Sequence, residues 1–84
     1  MEYFIIELVR EMKNHNYSLR TIKLYSKKLR GFLDCANTND YEPETRISKY
    51  LETIMSTEGR RHAYMAIRLF YKFVLKKAGI KGPL

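Results

Sequence analysis

Tryptophan is absent, cysteine occurs once, and proline occurs only twice. The lone Cys35 has no partner for a disulfide framework and no second thiolate for a metal site. A reducing, cytoplasmic setting fits that usage. Long apolar runs are missing too. The longest stretches are short, as in Tyr3–Ile6, so no transmembrane helix or signal-peptide core is expected. No alternating apolar pattern of strand length occurs, and no internal repeat or low-complexity segment. Gly-rich phosphate loops and metal-ligand motifs are also absent. The most informative absence is of acid. Residues 18–33 hold five bases and no acid, and residues 59–84 hold seven bases and no acid.

What is present suffices for one small fold. The chain has 84 residues, 45% of them hydrophobic, which allows a single domain of modest core and marginal stability. Four helices are read from 3–4 residue spacing. The first covers Glu2 to Asn14, with Ile5, Leu8, Val9 and Met12 on one face. Ser18 is a candidate N-cap for the second, Leu19 to Ala36, whose stripe is Ile22, Tyr25, Leu29, Phe32, Leu33 and Ala36. Pro43 and Glu44 suit the first turn of a third helix that buries Ile47, Leu51 and Ile54 and ends near Met55. The fourth starts after Ser56 or Thr57 and runs to about Lys77, with Gly79 as its stop. Its stripe is Ala63, Ala66, Ile67, Phe70, Phe73 and Val74. Gly31 interrupts the second helix at a cost of about 1 kcal/mol relative to alanine. Close approach of another backbone and a tolerated defect both account for it.

The formal charge of +7 points to a polyanionic partner, nucleic acid before membrane surface. At about 100° per residue, Arg20, Lys23, Lys27 and Arg30 share one side of the second helix. Arg61, Arg68 and Lys72 share one side of the fourth. Each basic stripe lies away from the apolar stripe of its own helix. With the apolar stripes packed together, the basic ones are expected along one shared edge. Ser18 and Ser56 or Thr57 lead the two helices, and free N–H groups at helix starts bind phosphate well. The bland alternative is a solvated face, but neither helix offers i,i+4 acids to compensate its bases. A membrane-surface helix would need its apolar stripe outside the core, so no membrane partner is expected.

Ser18, Thr21, Tyr25, Leu29 and Phe32 stand in a register that resembles the opening of the core-binding (SAM-like) domain of tyrosine recombinases and phage-type integrases. Ala66, Ile67, Arg68, Phe70, Tyr71 and Phe73 resemble the last helix of that domain. The resemblance covers almost the whole chain and rests on order and spacing. It implies an all-α bundle of four principal helices that covers one side of duplex DNA, while a catalytic domain of the same protein closes from the other. It implies that the second and fourth helices face the major groove, with Thr21 and Lys23 at the start of one and Arg60 and Arg61 at the start of the other. It also implies residues 1–79 as the binding domain, 80–84 as the start of a linker, and contacts with other recombinase protomers.

The family's chemistry needs a tyrosine nucleophile with Arg…His-x-x-Arg around the scissile phosphate. His15 and His62 are the two histidines, and neither begins a His-x-x-Arg. The chain is therefore expected to bind DNA for integration or recombination without catalysing either, and to need no cofactor. The DNA-facing set is Ser18, Arg20, Thr21, Lys23, Lys27, Arg60, Arg61, Tyr64, Arg68 and Lys72. Tyr64 can serve phosphate bonding or packing, and Arg68 can instead pair with Glu52. His62 reads as near the DNA or simply exposed. Cys35 is expected as a small buried hydrophobe, Tyr25 and Tyr71 at the core edge, His15 in a turn, and Glu42 and Glu44 in solvent. A helical protein-interaction or oligomerisation module is the competing function.

Overall fold

The computed structural model describes residues 2–35 and 43–76. Four α-helices succeed one another: α1 (Glu2–Asn14), α2 (Leu19–Cys35), α3 (Pro43–Glu52) and α4 (Thr57–Leu69). α4 runs on into a π-helical segment, Phe70–Leu75. No strand occurs among the described residues, and none of their helices is long and apolar enough to cross a membrane. The architecture is all-α, as the periodicity predicts.

The helix ends are set by local chemistry. α1 closes with Asn16 in the left-handed region at φ 64°. Its N–H bonds the Lys13 carbonyl at 3.0 Å, and the Tyr17 N–H bonds that of Met12 at 3.0 Å. These are the paired bonds of a Schellman stop, with asparagine where glycine is usual. Ser18 then caps α2 by accepting from the Thr21 N–H at 3.2 Å, and Ser56 caps α4 by accepting from the Gly59 N–H at 3.1 Å. α3 stops at Glu52 rather than near Met55. The Tyr50 carbonyl takes both the Thr53 N–H and the Thr53 hydroxyl, at 3.0 and 2.6 Å, which closes the last turn early.

α2 touches all three other helices, α1 packs on α2 and on the π-helical segment, and α3 packs on α2 and α4. Ile22, Leu29, Phe32, Ile67, Phe70 and Val74 all enter one core, with Leu8, Met12, Leu29 and Ile67 fully enclosed. Each such side chain is worth about 1.5–3 kcal/mol when fully removed from water. The Phe4 ring meets Phe70 edge-on at 5.3 Å.

Several expectations need correction. Leu51 and Ile54, expected to be buried, are half-buried, while Tyr50, outside the expected stripe, is buried. Its hydroxyl donates to the Lys28 carbonyl at 2.8 Å. This contact explains Gly31: a Cβ there would lie 2.8 Å from the Tyr50 oxygen. A side chain, not a backbone, makes the close approach. Cys35 is exposed. The buried centre of α2 is Ile22, Leu29 and Phe32, and at 100° per residue Cys35 falls roughly a quarter-turn or more outside it.

The fourth helix is not α-helical to its end. The Lys76 N–H reaches back five residues to the Tyr71 carbonyl at 2.9 Å. Leu69 and Phe70 are buried, and so are Val74 and Leu75. Those pairs recur at a spacing of five, which a π turn superposes and an α turn does not. Phe73, expected in the core, is half-buried and stacks on His15 with ring centres 4.4 Å apart. His15 does lie in a turn, and Tyr25 and Tyr71 lie at the core edge. Ala36, Glu42, Lys77, Gly79 and the 80–84 segment lie outside the described residues.

The core makes three outcomes testable. Phe70→Ala lowers unfolding free energy by roughly 3–5 kcal/mol in urea titrations. Gly31→Ala destabilises despite its helix-propensity gain of about 1 kcal/mol. In a Tyr50→Phe background, where the hydroxyl is gone, the same substitution becomes neutral or stabilising, and a double-mutant cycle reads the difference. Burial raises the Tyr50 phenol above its ordinary value, with a smaller contribution from Cys35, and burial raises that of Tyr71. Both phenols thus bind protons more tightly folded than unfolded. Their stability contribution is complete below about pH 10 and is lost as pH climbs through the raised values. Tyr50→Phe reduces that alkaline loss; an unchanged profile refutes the assignment.

Candidate nucleic-acid interface

Arg20, Lys23, Lys27 and Arg30 are exposed along α2, as befits an amphipathic helix with one buried edge. From Arg20 to Arg30 the row spans about 15 Å of helix. Arg20, Lys23 and Lys27 form no ion pair among the described residues. Arg30 reaches across to α1 and pairs with Glu2. The Arg30 guanidinium, by hydrogen bond and by charge, holds the Glu2 carboxyl below the ordinary carboxylate range, and Glu2 in turn raises Arg30.

On α4, Arg60, Arg61, Tyr64, Arg68 and Lys72 are all exposed. Here the expectation of an acid-free helix fails. Glu58 belongs to the first turn of α4, and its carboxylate lies 3.9 Å from Arg61 and 4.0 Å from His62. Glu58 stands one residue before the acid-free stretch 59–84, so that stretch does not reveal it. Arg60 is partly occupied as well: its Nε donates to the Ile54 carbonyl at 2.7 Å, which ties the α3–α4 connection. Among the described residues no ion pair joins Arg68 to Glu52. The Lys72 ammonium lies 5.7 Å from the centre of the Phe73 ring.

Tyr25 faces His62, with ring centres 6.3 Å apart, and the Lys28 ammonium reaches the first turn of α4, 3.6 Å from where a Cβ on Gly59 would sit. At about 100° per residue, Arg20, Lys23, Lys27 and Arg30 lie roughly opposite the Tyr25–Leu29 edge of α2. The second turn of α2 carries Lys23, and the hydroxyls of Ser18 and Thr21 before it are engaged with each other. Ser18 Oγ, besides capping, donates to Thr21 Oγ1 at 3.0 Å.

A groove of about 430 Å³ opens between α1 and α2. Val9 and Ile22 give it a largely apolar floor beside Ser26, Leu19 stands at its mouth, and Lys13, Lys23, Lys27 and Arg30 stand around it. Sequence reasoning missed Lys13, because its partners across the groove belong to another helix. It also passed over Lys28, which the Gly59 notch brings beside α4. No group of His, Cys, Asp and Glu able to hold a metal ion is found among the described residues.

The caps give a direct check on Ser18. Ser18→Ala and Ser56→Ala each lower stability by about 1 kcal/mol in urea titrations. If Ser18 acts only as a cap, Ser18→Ala leaves the affinity of the folded chain for any polyanion unchanged. No protein-family model, no curated protein and no solved structure matches this chain.

Proposed function

We propose that this chain binds duplex DNA, with Arg20, Lys23 and Lys27 of α2 as its principal phosphate contacts. The observation that carries this reading is the row itself: three exposed cations on one helix face, with no acid paired to them among the described residues. Cations so placed keep their full charge for a polyanion. Each phosphate they neutralise releases condensed counterions, which is the main source of affinity in such contacts. Arg61, Arg68 and Lys72 supply a second group, weakened at Arg61 by Glu58. Contacts of this type position a duplex and do not by themselves read its sequence.

The resemblance to recombinase core-binding domains supports a more specific form of the proposal. The chain then acts as one half of a clamp on DNA, partnered by a catalytic domain and by other protomers. Strand cleavage belongs to that other domain. His15 is stacked on Phe73, His62 shares the Glu58 carboxylate with Arg61, and neither begins the His-x-x-Arg that the family's phosphate activation needs.

Binding of a fluorescent duplex should show a log K against log salt slope of about −4, as expected for four or five neutralised phosphates. Lys23→Ala and Lys27→Ala should each weaken binding and reduce the slope by about 1. Arg10→Ala, whose side chain is paired with Glu7 on α1, serves as the control and should change neither. Salt-independent binding, or equal losses in all three variants, overturns the assignment. Glu58→Gln should strengthen binding if the α4 group also touches DNA. A nicked suicide duplex should leave no covalent adduct, and a tyrosine-linked one would refute the division of labour.

A further inference from the structure

We propose that the groove between α1 and α2 is a docking site for an acidic amphipathic helix of a partner protein. The proposal rests on the joint character of the groove and holds whether or not the chain binds DNA. Its floor is apolar: Val9 and Ile22 line it, and Leu19 at its mouth is 68% exposed. Ile6, three residues before Val9 on α1, is 59% exposed, so the apolar strip continues past the groove. A solvated basic face has no use for such a floor, and a nucleic-acid backbone gains little from it.

The rim sets the charge of the occupant. Lys23, Lys27 and Arg30 run along one edge at helical spacing, and Lys13 stands on the other. Glu2 is the acid that the structure pairs with this group, through Arg30. The rim therefore remains cationic on both sides of an apolar strip. Its complement is a helix with apolar residues at i, i+3, i+4 and i+7 and acids on both flanks, the helix-in-groove mode of recognition. From Leu19 to Arg30 the edge measures about 16 Å, so about three turns of a partner helix fill it. A second copy of this chain is a poor occupant, because symmetric pairing brings one cationic rim against another.

The probe is a fluorescent peptide of about 12 residues, with leucines at i, i+3, i+4 and i+7 and glutamates elsewhere. A scrambled peptide of the same composition is its control. Anisotropy should show the ordered peptide binding about tenfold tighter than the scrambled one, and amide NMR shifts should centre on Val9, Lys13, Ile22 and Lys23. Leu19→Gln removes apolar contact without adding charge. It should weaken the ordered peptide about tenfold, as loss of one buried leucine implies, and leave the scrambled peptide unaffected. Because Leu19 is exposed, the unfolding midpoint of that variant should stay the same. Equal binding of both peptides reduces the groove to a charge effect and overturns the proposal. So do shifts centred on α4, or a concentration-dependent dimer that perturbs the groove amides.

Discussion

α2 has to satisfy three neighbours with a helix only part of whose circumference is apolar, and the rest of the structure depends on that constraint. Its buried edge, Ile22, Leu29 and Phe32, goes to the core shared with α4. Toward α3 the helix offers the Phe32 ring, 5.8 Å from that of Tyr50, and beside it the notch at Gly31. The Tyr50 ring enters the notch and satisfies its hydroxyl on the Lys28 carbonyl. A helix interior normally loses stability at glycine. Here the loss is offset by a buried aromatic ring and a hydrogen bond that no larger residue would admit.

The remaining face of α2 borders the open groove toward α1, and that is where the cations collect. Like charges on one exposed face repel weakly in water, and salt screens them within about 10 Å. The fold tolerates the row but gains nothing from it. Among the described residues only Arg30 of the row is neutralised, by Glu2, as Arg10 is by Glu7 on α1. A stretch that folding leaves uncompensated is open to a demand from outside, and anionic surfaces are the demand that fits.

Much of this was legible in the sequence, because helical periodicity is a local property. α1 has the expected bounds, Ser18 and Ser56 cap the helices they precede, and the six principal core residues share one core. The misses all depend on information from other segments. Tyr50 lies outside the apolar stripe Ile47, Leu51 and Ile54 that the sequence predicts for α3, and only its meeting with Gly31 buries it. Cys35 looked apolar enough for the interior, but the core had already turned away at Phe32. Glu11 is buried and has a partner, though its letter reads as surface. At the site, the exposure of the ten expected residues was largely readable, since Ser18, Arg20, Lys23, Lys27, Arg60, Arg61, Tyr64, Arg68 and Lys72 are exposed and only Thr21 is half-buried. Their grouping was not, because a helical wheel fixes directions around one axis and says nothing of how two axes are laid together.

The π-helical segment gives the end of α4 a tolerance that ordinary helices lack. Along an α-helix, loss of one residue rotates everything beyond it by about 100°. Between Leu69 and Leu75 the wide turn, closed by the Lys76 N–H on the Tyr71 carbonyl, already holds one residue more than an α turn needs. Losing that residue would set Phe70 and Leu75 four apart on a regular helix, still on one face. A deletion here would therefore keep the buried side buried, where an insertion would widen the turn further.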